Sequence, residues 1–202
     1  MDIKQFAQTI KAKEKEINDL MRRKMPVLAG RIAKDHFQDN FRKSGFVNNG
    51  VTPWKPAKRL SSGSKSADAN YGTLLSSRNH LFSSIQYIPG DASVKVSTSV
   101  PYASAHNFGE TVNPRVTPKM RAFAWAKYFE ETGIKKGMSK EEKKGLEATA
   151  SPEAKMYKGL ALTKKQTLSI KMPERKFIGE SAELQQAINE KLETELKTIL
   201  NL

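Results

Sequence analysis

The sequence contains no cysteine, which excludes disulfides, thiolate metal sites and cysteine nucleophiles and fits a chain made in a reducing compartment such as a cytoplasm. No stretch approaches the ~18 apolar residues that a membrane-crossing helix needs. The opening Met1-Asp-Ile-Lys-Gln-Phe6 puts charges where a signal peptide needs an apolar run. No membrane partner is therefore expected. Apolar residues make up 38% of the 202 residues and aromatics 8%, less than a self-sufficient globule usually carries, so part of the chain is expected outside a compact core. Acid is also short, with 21 Asp and Glu against 35 Lys and Arg for a net charge of +14. That excess attracts polyanions, which makes nucleic acid a candidate partner. Solubility, or pairing with acidic neighbouring subunits, accounts for it equally well.

Histidine is the scarcest catalytic resource, at three residues. His36 lies between Asp35 and Asp39 with no second histidine on its helical face, His80 falls at a helix start, and His106 sits in a turn. None belongs to a His-Glu-x-x-His pattern or to a serine elbow. Ser61-Ser-Gly-Ser-Lys-Ser66 fails as a phosphate loop, because Lys65 does not directly follow Gly63 and Lys58 stands where a second glycine is required. Asp68, Asp91, Glu110 and the Glu130-Glu131 pair show nothing beyond solvated acids. No catalytic residue, metal ligand or cofactor is assigned, and the chain is read as a non-enzyme. Lys55, Lys58, Arg59 and Lys65, in one basic loop, are candidate phosphate contacts of low specificity.

Apolar spacing predicts a long N-terminal helix through Phe6, Ile10, Ile17, Leu20, Leu28, Ile32, Phe37 and Phe41, kinked near Pro26, which lacks a backbone donor. Residues 1–26 read as a helical arm with a thin apolar stripe, fit to project or to pack on a neighbour. Residues 27–202 read as a single α+β domain: a small antiparallel sheet packed by the long helix and by a C-terminal amphipathic helix, with long loops. A basic irregular loop is expected over 44–73, and within it Trp54 is a candidate interface anchor, although a tryptophan pinning the loop to its own core is the commoner arrangement. A short helix is expected over Leu74–Ile85. Ile85–Ile88 and Val94–Thr98 form a hairpin about Pro89-Gly-Asp-Ala92. Thr117-Pro118 starts a helix that Gly133 stops. Residues 135–165 read as an exposed insertion of short helical pieces, opened by the capping box Ser139–Glu142 and by Ser151-Pro152. Thr167–Met172 alternates as a third strand. Leu184, Ile188, Leu192 and Leu196 mark the last helix, whose glutamates contrast with the basic remainder.

Two compact turns stand out, Pro101-Tyr-Ala-Ser-Ala-His-Asn-Phe-Gly-Glu110 and Pro173-Glu-Arg-Lys-Phe-Ile-Gly179. With the Trp54-Lys-Pro loop and Leu74-Leu-x-x-Arg-x-x-Leu-x-x-Ser-Ile85 before them, their order resembles the virion-morphogenesis, or tail-completion, proteins of tailed phages and Mu-like prophages over about residues 27–200. Glu174 and Lys176 depart from that pattern, where a proline or alanine is frequent. The resemblance implies a structural protein of the virion neck. It implies a homo-oligomeric, hexameric ring, assembled in the bacterial host cytoplasm, between the portal or head-completion complex and the tail-tube or tail-terminator proteins. If DNA threads that ring, the basic surface is a candidate for contact with it. It also implies that Tyr102, His106, Phe108 and Gly109 shape one turn and Arg175, Phe177 and Gly179 the other. Read as residues alone, Phe108 and Phe177 are expected to plug the core and the glycines to permit the turns, with direct contact to a partner as the alternative. A basic nucleic-acid-binding module is the alternative.

Overall fold

A computed structural model describes residues 3–61 and 70–201. The chain is α+β and divides into two compact units, Met1–Glu110 with Met172–Leu202, and Thr111–Lys171.

In the first unit, helices α1 (Ile3–Ala12) and α2 (Glu14–Asp19) lead through a π-helical turn, Leu20–Lys24, into α3 (Met25–Arg42). The π turn has an identifiable cause. Pro26 has no N–H to give the carbonyl of Arg22 four residues earlier, and the helix widens there, with the Met25 N–H reaching back to the Leu20 carbonyl. The freed Arg22 carbonyl accepts the amide of Ala92 at 3.1 Å. Ala92 is the turn of the hairpin β3 (Gln86–Gly90) and β4 (Ser93–Ser97), paired in register Gln86↔Ser97 to Gly90↔Ser93. Asp91 in the same turn makes a two-pronged ion pair with the Arg22 guanidinium. Gly30 lets this hairpin lie on α3, since a β-carbon there would overlap the Tyr87 ring.

The loop expected to be irregular over 44–73 holds more structure than its composition suggested. A short hairpin, β1 (Gly45–Val47) with β2 (Val51–Pro53), is followed by a 3₁₀ turn at Lys58–Ser61. Asn49 and Gly50 turn the hairpin with positive φ of 52° and 102°. The Glu183 carboxylate then accepts both of their amides, at 3.1 and 2.8 Å. Glu183 opens the last helix, α9 (Ala182–Leu200), whose N-cap Ser181 accepts from the Leu184 amide. The helix expected over Leu74–Ile85 shrinks to α4 (His80–Ser83). Leu74 and Asn79 both take positive φ, 62° and 45°, which breaks the helical run. The core gathers Phe37, Phe41, Trp54, Leu81, Ile85 and Phe177 around α3.

In the second unit, α6 (Pro118–Thr132) starts at the Thr117 cap and ends at Gly133, φ 70°. Helices α7 (Lys140–Ala148) and α8 (Pro152–Leu162) follow, with the Ser139–Glu142 capping box formed and Ser151 capping α8. These pieces bury a small core of their own around Tyr128, Ile134 and Ala154. The Glu147 carboxylate accepts the Tyr128 hydroxyl at 3.0 Å and pairs with Lys158 at 2.9 Å. The third expected strand is ragged. Only Ile170–Lys171 (β6) pairs as a strand, with Thr111–Val112 (β5), plus a bridge at Arg115↔Thr167. Pro114 interrupts the partner, because it offers no N–H to the ladder. Among the described residues the sheet is thus three separate two-stranded ribbons.

Candidate functional site

The two turns singled out in the sequence meet. Helix α5 (Ala103–Phe108) carries the first. The second, Glu174–Gly179, runs beside it without regular secondary structure. A buried irregular segment must find partners for its own N–H and C=O groups, and side chains supply most of them. Arg175 donates its amide to the His106 carbonyl at 2.7 Å. The Trp54 indole N–H donates to the Lys176 carbonyl at 2.8 Å. The Asn107 side-chain oxygen accepts the amides of Phe177 and Ile178 at 2.9 and 3.0 Å, and its NH₂ donates to the Ile178 carbonyl at 3.2 Å. The Asn40 NH₂ donates to the Phe177 carbonyl at 3.1 Å while its oxygen accepts from the Val47 amide.

Asn107 and Asn40 are the residues that sequence reasoning missed. A signal for each exists. Asn107 sits inside the first motif between His106 and Phe108, and Asn40 lies on the buried face of α3, three residues after Phe37 and one before Phe41. An amide on an apolar helical face asks for a buried partner.

Phe177 is 1% exposed and fills the core against Phe41 at 5.2 Å. Phe108 does not plug the core: it is 67% exposed. It is the last residue of α5 before Gly109 turns left-handed at φ 69°, which leaves its ring outside. Gly109 is required twice over, since a β-carbon there would also stand 3.0 Å from the Glu174 amide nitrogen. Gly179 works differently. Its β-carbon would meet the flexible end of the Lys176 side chain, which lies over the Phe46 ring at 4.7 Å.

Arg175 is buried, and its guanidinium donates to the carbonyls of Lys55 and Pro56 at 2.8 and 3.3 Å, tying the tryptophan loop down. Trp54, the candidate interface anchor, is itself buried, edge-on to Phe41, so in this structure it anchors its own loop rather than a partner. Arg59 is not spread on the surface for phosphate. It brackets the carbonyls of Tyr71, Gly72 and Leu75. Lys55 and Lys58 are exposed, and Lys65 lies outside the described residues.

His106 packs edge-on to the half-exposed Tyr102, at 6.0 Å. Both line a cavity of about 200 Å³ with Arg59 and Arg175. Burial first, and the Arg175 charge second, hold the His106 imidazole below its ordinary pKa, and its Nδ1 is buried without a hydrogen-bond partner. Among the described residues no carboxylate or hydroxyl is hydrogen-bonded to the ring. The described residues also hold no cluster of three or more His, Cys, Asp or Glu fit for a metal, and no helix long and apolar enough to cross a membrane. What the arrangement does is mechanical. It welds α3, α5, the tryptophan loop and the entry to α9 into one body.

No curated protein and no solved structure shows significant similarity to the chain. A family model does match, that of the phage virion morphogenesis family, and it spans residues 1–197, taking in the N-terminal arm as well as both turns. By that match the chain belongs to the phage virion morphogenesis family, and its part is in building the virion.

Proposed function

We propose that the protein is a structural component of the phage neck, a tail-completion or tail-terminator ring of identical subunits joining the tail to the portal and head-completion complex. The observation that carries this reading is the lock between the two turns: Asn107, Gly109, Arg175 and Phe177 hold one irregular segment firmly against the rest of the unit, as a rigid subunit of an assembly needs. Around that scaffold the chain offers different patches for a ring to join. Phe108, Tyr102 and Ile88 are exposed on the first unit, and Ile3 and Phe6 on the arm. A ring of identical subunits needs such heterologous contacts, one patch meeting a different one on the next copy. Native mass spectrometry and negative-stain imaging test this. Closed rings are expected, hexameric, from the protein alone or on adding portal and tail proteins. A chain that stays monomeric with both present sinks the reading.

The charge distribution favours a second role within the same ring, contact with the DNA that threads it. Thr111–Lys171 holds 14 Lys and Arg against 6 Asp and Glu, and Lys135, Lys136 and Lys143 there make no ion pair among the described residues. Phosphate-driven binding of duplex DNA falls steeply as salt rises. Absence of binding at low salt removes this role.

A further inference from the structure

We propose that helix α1 of one copy docks its apolar stripe into the groove beside Phe108 of the next copy, with the arm's lysines meeting glutamates at the groove's edge. This deepens the ring reading and rests on it.

The arm is unfinished as it stands. Ile3, Phe6 and Ile10 fall at intervals of three and four residues and so share one face of α1. Ile3 is 88% and Phe6 44% exposed, and no residue of the helix is buried. A ten-residue helix is marginal in water without a surface to pack on. Lys4 and Lys11, two turns apart along one flank of that stripe, have no carboxylate partner among the described residues. The arm therefore asks for an apolar surface with acid beside it.

One such surface lies on the first unit. A groove of about 290 Å³ is lined by Val96, Val100, Ala103, Phe108 and Ile178 with no charged residue among its walls, and Phe108 is exposed at its edge. Ser104, also in the wall, donates to the Glu110 carboxylate at 3.3 Å, and Glu174 packs against Gly109, the neighbour of Phe108. Neither glutamate makes an ion pair among the described residues. Apolar stripe meets apolar groove, and uncompensated lysines meet uncompensated glutamates.

Charge also selects between grooves. The larger apolar pocket of the second unit, between Trp125, Phe129 and Ile134, is edged by Lys135, Lys136 and Lys143, which repel Lys4 and Lys11. Arm and groove are different patches of one chain, so the contact passes head to tail from copy to copy.

The test uses the full chain with a photo-crosslinking benzoyl-phenylalanine in place of Phe6, mixing isotope-labelled and unlabelled copies before irradiation. Crosslinks between copies onto residues 96–108 or 177–178 are expected. Crosslinks within one copy only, onto the Trp125 pocket, or onto a different virion protein overturn the inference. In parallel, F6D and F108D each raise the concentration for half-assembly by about tenfold or more. The pair K4E/K11E is rescued by E110K/E174K, a recovery that mere unfolding does not give. Rings that form unchanged after removal of residues 1–12 defeat the arm inference and leave the ring reading standing. A wild-type chain that never assembles defeats both.

Discussion

The Asn107 side-chain oxygen accepts the backbone N–H of Phe177 at 2.9 Å, across 70 residues of sequence. It takes the Ile178 amide as well, and its NH₂ returns a bond to the Ile178 carbonyl. One amide thus satisfies three buried or half-buried backbone groups of a segment that has no ladder or helix to do so. Asn107→Ala strands all three, at roughly 1–3 kcal/mol for a buried unsatisfied group. A loss of about 2–5 kcal/mol in denaturant unfolding is expected, well beyond that of Asn189→Ala, whose amide is bonded on an exposed helix face.

Two glycines with nearly equal φ separate strain from crowding. Gly109 and Gly133 have φ of 69° and 70°, but only Gly109 has backbone within reach of a β-carbon, that of Glu174. Gly133→Ala is expected to cost about 1–2 kcal/mol for the left-handed conformation alone. Gly109→Ala costs about 1–3 kcal/mol more, for the overpacking. Thermal unfolding of the two variants side by side measures the difference, and equal losses would show that Glu174 yields freely.

Acid should loosen the first unit through two histidines. His36 is held below its ordinary pKa by burial, the nearby Lys43 charge adding to the effect while the Val47 backbone, Glu183 and Asp39 oppose it. His106 is held down by burial and by Arg175. A depressed folded-state pKa means the neutral ring is the one the fold accepts. The stabilisation is present above the ordinary imidazole value near 6.5 and is lost as pH falls below it towards the folded-state values. His106→Gln and His36→Gln should each flatten the fall in melting temperature between pH 7.5 and pH 5. The carboxylates common to all variants cancel in that comparison.

Pro26→Ala returns an N–H that competes with Ala92 for the Arg22 carbonyl. The π turn is then expected to close towards a regular helix. The Ala92 amide loses its acceptor, and its hydrogen-exchange protection falls by about tenfold. Asp91→Asn, by contrast, removes only an exposed, solvent-screened ion pair with Arg22 and is expected to leave the melting temperature nearly unchanged.

Much of the fold was legible because it rests on local rules. The Leu184 to Leu196 spacing, the Thr117 and Ser151 caps and the Ser139–Glu142 box reappear as read, and the hairpin reappears with a tighter turn, Asp91-Ala92, since Pro89 and Gly90 pair with Val94 and Ser93. What escaped depends on partners far along the chain. Nothing periodic announces that Asn40 and Asn107 will clasp one irregular segment, or that Glu183 will tie down the Asn49-Gly50 turn. Arg59 looked available for phosphate because a basic loop reads as surface, yet it donates to carbonyls of its own chain. For Trp54 the sequence left two arrangements open, and it takes the commoner one, its indole N–H donating to the Lys176 carbonyl. Phe108 misled in the opposite sense, because a glycine turn after an aromatic does not say which way the ring faces.

Labelling the chain within intact virions tests the central claim most directly. A small tag on the C-terminal end, decorated and imaged on assembled particles, is expected to mark one collar of density at the junction of head and tail. Label at the tail tip, along the tube or on the capsid faces, or absence of the chain from finished particles, would contradict a neck ring.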